Sequence, residues 1–123
     1  MPSFNEVTLV GVIGDKPVIR ASTNGVAYTV YSLCTHSVFK SKVTAEKVEH
    51  IDWHTLISWG TQAEAVTKYL TKGNLVFVKG KLSTRVWEDD NEKSHKTRIV
   101  TDQVLFLENR NTNNMAQDTV PLN

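Results

Sequence analysis

Three tryptophans (Trp53, Trp59 and Trp87) and Phe39 have the most specific chemistry to offer in this chain of 123 residues. Basic residues stand near them in sequence: Lys40, Lys42, Lys72, Lys79, Lys81 and Arg85. Rings interleaved with cations suit single-stranded nucleic acid, because bases stack on aromatic faces whatever their identity while cations follow the phosphates. A competing reading makes the indoles core and the lysines mere solvating charge. The stretch from Glu49 to Gly60 sharpens the choice. It reads as a β-strand, and side chains alternate with period two, so Ile51, Trp53, Thr55, Ile57 and Trp59 share one face. Either the indoles are buried with Ile51 and Ile57, or they form a platform for flat ligands.

Other chemistries find less support. Asp52 and His54 share a strand face and would make an acid–base pair, but catalysis needs a nucleophile, base and orienter together in space. A lone histidine on a strand is more often a packing or interface residue. His36, His50, His54, His95 and Cys34 show no metal-ligand spacing, and there is no glycine-rich phosphate loop. We expect no enzyme activity, no cofactor and no metal. The single cysteine excludes an internal disulfide, which fits a reducing cytosol, and reads as a small buried hydrophobe. A net charge of +1 argues against binding by bulk charge, though not against a local basic stripe. No apolar run approaches the roughly 18 residues of a membrane span, and the N-terminus lacks a secretory pattern. The expected location is cytoplasmic.

Several elements must position these residues. A strand from Asn5 to Ile13, with Val7, Leu9 and Ile13 inward, meets Gly11 and Gly14, which mark a bend. The Asn24-Gly25 pair signals a hairpin, and Val26 to His36 is a long strand. Val38 to Val48 is polar and reads as a long hairpin loop, and the Trp53 strand follows. Thr61 and Glu64 have the spacing of a capping box, with Ala65, Val66, Tyr69 and Leu70 as the apolar stripe of a helix and Gly73 past its end. Strands follow from Leu75 to Val86 and from Lys96 to Leu107, around an acidic turn at Glu88 to Glu92. The first of these carries Val76, Val78, Leu82 and Val86 on one face. The chain is therefore all-β with one helix, and the helix lies between strands 3 and 4. That order fits a five-stranded OB-fold barrel, whose strand faces and loops bind oligonucleotides or oligosaccharides. Residues 1–107 form that domain. Residues 108–123 read as a short polar tail expected to be disordered.

Taken together, these segments resemble the bacterial single-stranded DNA-binding protein family. The resemblance rests on Asn5-Glu6-Val7-Thr8-Leu9-Val10-Gly11, on Gly14, Pro17 and Arg20, and on Asn24-Gly25. It continues through Ser32-Leu33-Cys34-Thr35, Asp52-Trp53-His54, Tyr69-Leu70-Thr71-Lys72-Gly73, Val78-Lys79-Gly80-Lys81-Leu82 and Thr84-Arg85-Val86-Trp87. It implies base stacking by Phe39, Trp53, Trp59 and Trp87, with Lys40, Lys42, Lys72 and Arg85 near the phosphates. It also implies a homotetramer, or a dimer, with His54 at a subunit interface; Phe77 is a second interface candidate. The implied role is to coat single-stranded DNA during replication, recombination and repair. An OB-fold adaptor of the primosome type, acting through protein contacts, is the alternative from another class.

Two departures qualify the resemblance. Glu6, Thr55, Thr61, Ser83 and Val86 stand where relatives are often basic, which predicts weaker binding and a flatter salt dependence; Lys79 and Lys81 compensate in part or face a neighbouring subunit. The end of the chain, Met115 to Asn123, holds a single acidic residue, where relatives often finish in an acidic tip. Recruitment of host replication proteins is therefore in doubt, and an origin on a phage, plasmid or other mobile element is one hypothesis.

Overall fold

The computed structural model describes residues 2–89, 92–109 and 120–121, with the backbone alone at 85–89, 92–94, 109 and 120–121. The elements in order are β1 (Val7–Ile13), β2 (Arg20–Ala21), β3 (Ala27–Lys40), β4 (Lys47–Trp59), α1 (Gly60–Tyr69), β5 (Asn74–Asp89), β6 (Glu92–Asn109) and β7 (Val120–Pro121). Five long strands, β1, β3, β4, β5 and β6, form a closed barrel. β1 pairs with β5 from Val7 to Val12 and passes to β3 at Val12 and Ile13, so one strand joins both ends of the sheet. The other seam is short and parallel, where Leu56 faces Ile99 and Ile57 faces Val100. The two-residue strands β2 and β7 are additions to β3 and β6. The helix follows the third long strand and precedes the fourth, as the OB-fold reading requires.

Alternation along the strands supplies the core. Ile13, Tyr31, Leu33, Leu56, Val76, Val78, Ile99 and Val104 point inward, and Val66 and Leu70 close one end from the helix. Val7 and Leu9 pack against this cluster, as the sequence pattern requires.

Four local expectations need correction. Helix α1 begins at Gly60, one residue before the expected cap, and no side-chain cap bond forms. Gly60 sits at φ 64, a left-handed value that lets the chain leave β4 directly into the helix. Thr61 is thereby inside the first turn. The early start also turns the buried face to Gln62, Ala63 and Val66, and Tyr69 is exposed. The expected loop from Val38 to Val48 is narrower, at 41–46, since β3 and β4 stay paired out to Lys40 opposite Lys47. Polar residues carry a ladder where neither face needs burial. Third, β6 is longer than expected, because it remains paired with β5 outward to Glu92 and inward to Asn109. Fourth, Leu82 is half exposed although it keeps the phase of Val78 and stands opposite buried Ile99; the register shift between Lys79 and Gly80 places its extra residue, Asp102, on β6 and leaves β5 in phase. Of the expected acidic turn, Asp90 and Asn91 lie outside the described residues, as does most of the expected tail.

A chain of buried hydroxyls braces the short parallel seam. Tyr31 Oη lies 2.9 Å from Ser58 Oγ, which lies 2.6 Å from Thr101 Oγ1. Thr101 donates to Gln62 Oε1. The amide oxygen can only accept, so the donors run from Tyr31 through Ser58 and Thr101 to Gln62. One chain thus ties β3, β4, β6 and α1. Burial pushes the Tyr31 hydroxyl up to about 12 from its ordinary 10.0, against the opposing pull of the Ser58 and Thr101 hydrogen bonds. A raised folded-state value means that stability is fully present below pH ~10 and declines as pH climbs toward ~12. The loss should reach about 2–3 kcal/mol. Tyr31→Phe should cost about 1 kcal/mol at neutral pH and remove most of this alkaline decline, read by denaturant midpoints across pH. An unchanged decline in the variant would show that other groups cause it.

Candidate nucleic-acid interface

Directly opposed residues of an antiparallel pair lie on the same face, so the β3–β4 register assigns every side chain of the ribbon. Thr29/Ser58, Tyr31/Leu56 and Leu33/His54 face inward. The outer face carries Tyr28/Trp59, Val30/Ile57, Ser32/Thr55, Cys34/Trp53 and His36/Ile51. Trp53 is 63% exposed and Trp59 43%. Neither indole is core. Ile57 on the same row is only 4% exposed, because its neighbours cover it. Leu56, Ile57 and Ser58 are therefore buried in succession, and β4 is enclosed on both faces at that one point.

The two indoles are held in different ways. Trp59 packs on Tyr28 with ring centroids 5.1 Å apart and planes inclined by 34°. Trp53 lies across Gly14: a Cβ built there would stand 2.6 Å from its ring and 2.5 Å from Ser32 Oγ. The glycine gives the indole a seat. Beside Trp59 is an open cleft of ≈ 480 Å³ lined by Arg20, Tyr28, Val30, Ile57 and Arg98. Smaller grooves run between β4 and the β5–β6 hairpin, one at Trp59, Thr84 and Arg98, another at Trp53, Leu82 and Thr97. Together they form a trough along the outer face of β4, with aromatic rings at intervals.

The sequence candidates divide around this trough. Trp53 and Trp59 stand on it. Phe39 is 53% exposed but pairs with Val48, five positions along β3 from Cys34, which puts it on the opposite face of the ribbon from Trp53. Lys40 lies directly across from Lys47 at the ribbon end, and Lys42 is exposed in the turn beyond. Like charges in opposed positions repel, so this tip attracts an anion. Lys72 is exposed between α1 and β5. The backbone positions of Arg85 and Trp87 lie on β5 opposite Lys96 and Ser94; their side chains lie outside those described. Lys79 is on the outer face of β5 with its Nζ 3.6 Å from Glu6 Oε1, away from the trough.

His54 Nε2 is 2.9 Å from Thr35 Oγ1, whereas Asp52 Oδ1 is 3.1 Å from His50 Nε2. The acid–base pair considered from sequence does not form. Phe77 is half-buried, opposite exposed Val10 on one side and Leu105 on the other. Sequence reasoning did not place Arg20, Tyr28 and Arg98 at the site. From sequence Tyr28 reads only as an apolar strand residue, and the alternation of Arg98 with Ile99 is the available signal.

A closed barrel of this strand order, with a ring-bearing trough on its outer face, defines an OB-fold binding module. Comparison with known proteins agrees. The model of the "Single-strand binding protein family" matches residues 4–107. The single-stranded DNA-binding protein of Rickettsia felis is 32% identical over 123 aligned residues, covering 95% of this chain and 81% of that protein. Its Rickettsia typhi counterpart is 32% identical over 121, covering 94% and 80%. Among solved structures, a Plasmodium falciparum SSB in complex with ssDNA superposes with a TM-score of 0.80 at 29% identity, covering 88% of this chain and 98% of that one. A deletion mutant of the Thermus aquaticus single-stranded DNA-binding protein gives 0.77 at 31%, covering 87% and 52%. The chain belongs to the single-strand binding protein family, and is a binding protein rather than an enzyme.

The seat under Trp53 can be tested directly. In a background with Trp59→Phe and Trp87→Phe, Gly14→Ala should displace the remaining indole and shift its emission maximum. Stability should change by less than about 1 kcal/mol, because the ring edge and a hydroxyl can yield. Unchanged emission would mean that Trp53 does not rest on Gly14.

Proposed function

We propose that this protein binds single-stranded DNA without overall sequence preference, laying the strand along the trough of β4. The observation that carries this reading is the pair of exposed indoles on one strand face, held at fixed intervals by Gly14 and Tyr28. Family membership and the likeness to a protein solved with ssDNA support it. In this reading Trp53 and Trp59 stack bases. Trp87 and Phe39 extend the path along the β5–β6 and β3–β4 hairpins, and Lys40, Lys42, Lys72 and Arg85 follow the phosphates. The role is the protection of exposed single strands in replication, recombination and repair, in the cytoplasm.

The working form is a homotetramer. Among the described residues no strand lies beside the outer edge of β1 from Val7 to Gly11, and Val10, Phe77 and Leu105 make an apolar row next to it. An open edge beside apolar surface favours pairing with another chain. We place Phe77 at this contact and His54 at a separate subunit interface.

Titration with oligo-dT should quench tryptophan emission strongly, and a matching duplex should quench it little. Trp53→Ala should lose about 1–3 kcal/mol of affinity. The log–log salt slope divided by about −0.7 counts the phosphates neutralised; with five positions lacking a cation, it should be flatter than for relatives that are basic there. Absence of quenching by either nucleic acid would shift the reading to an adaptor working through protein contacts. Sedimentation should return a tetramer; a monomer at micromolar concentration would remove the oligomer from this account.

A further inference from the structure

The cleft beside Trp59 holds an arginine whose hydrogen-bonding capacity is not used up. Arg98 projects from β6 over Ile57 and lines the grooves on both sides of Trp59. Its Nε is buried and has no hydrogen-bond partner. A buried donor left without an acceptor is destabilising, because it has lost water and gained no partner. Among the described residues Thr29 Oγ1 is the other buried polar side-chain atom without a partner, whereas the chain from Tyr31 to Gln62 is fully bonded. The surroundings show what kind of acceptor would suit. The Tyr28–Trp59 pair offers a flat wall, while Val30 and Ile57 give an apolar floor. Arg20, on β2, is exposed at the rim opposite Tyr28.

A cleft with one aromatic wall, an apolar floor and a guanidinium at its side takes a flat heterocycle that presents acceptors along its edge. A phosphate would meet Arg20 first, at the exposed rim, and would gain nothing from the apolar floor. We propose that the cleft is a base-reading subsite in which Arg98 recognises the O6 and N7 acceptors of a guanine stacked on Trp59, with Arg20 on the adjoining phosphate. This rests on the single-stranded DNA reading and adds a local preference to it. Guanine alone shows two acceptors on that edge, which matches the arginine fork, whereas adenine pairs one acceptor with a donor. For the Nε to take part, the side chain must roll outward from its buried position, a change of rotamer that the open side of the cleft permits.

The test uses the full chain and a short oligo-dT in which one thymidine is replaced by dG, dA, dC or 7-deaza-dG. The dG oligonucleotide should bind about tenfold more tightly than the dT parent, and 7-deaza-dG, which lacks N7, should lose most of that gain. Arg98→Lys keeps the charge but not the fork; it should abolish the dG preference, so that the dG and dT oligonucleotides bind the variant within about twofold of each other. Equal binding of dG, 7-deaza-dG and dT by the native chain would overturn the proposal and leave single-stranded DNA binding intact. So would an Arg98→Ala variant that weakens all four oligonucleotides equally and flattens the salt slope by about 0.7, because that is the mark of a phosphate contact. Failure of every oligonucleotide to bind would overturn the single-stranded DNA reading itself.

Discussion

The structure depends on how β4 is enclosed. Over Leu56, Ile57 and Ser58 the strand is covered on its inner face by the core and on its outer face by neighbouring side chains, with β3 on one edge and β6 on the other. The parallel seam with β6 is only two residue pairs long. The hydroxyl chain from Tyr31 through Ser58 and Thr101 to Gln62 crosses this same point and binds four elements together. Polar groups fully satisfied in a low-dielectric interior hold one arrangement and penalise others. With β4 fixed there, the outer residues on either side of Ile57 are placed by the pleat alone. Trp53 and Trp59 inherit their positions from it.

The site itself needs little beyond this fixed strand. Stacking tolerates any base, so a rigid row of rings is sufficient for binding without sequence preference. What the geometry adds is asymmetry. One indole sits on a glycine, open to solvent, and the other leans on a tyrosine beside a cleft with two arginines. The two ends of the trough therefore offer different chemistry to the same strand. The ribbon beyond His36 and Ile51 has another character, with Phe39 on the reverse face and lysines opposed at the end.

Much of this was legible in the sequence, and the limits have physical reasons. Period-two alternation gave the faces of β1 and β4, and the single helical segment fixed its place between the third and fourth long strands. Hence the OB-fold could be reached from order alone. The helix start was not legible, because a capping box is a local pattern and Gly60 supplied a turn that made it unnecessary. Nor was the length of the β3–β4 ribbon, since polar residues from Ser37 to Lys47 carry no hydrophobic period. The indoles could not be assigned to core or surface until β6 was seen to cover Ile57 and leave Trp53 bare. Arg98 is the clearest case: its role depends on Tyr28, Ile57 and Trp59, which come from two other strands.

The central claim is that the outer face of β3 and β4 is the surface that meets DNA. Amide and indole NMR shifts, followed while oligo-dT is added to labelled protein, test it most directly. The account predicts that the indole N–H signals of Trp53 and Trp59 and the amides from Tyr28 to Cys34 and from Trp53 to Trp59 move together, whereas Val10 and Phe77 stay still. Shifts confined to the outer face of β1 and β5, with both indoles unmoved, would contradict it.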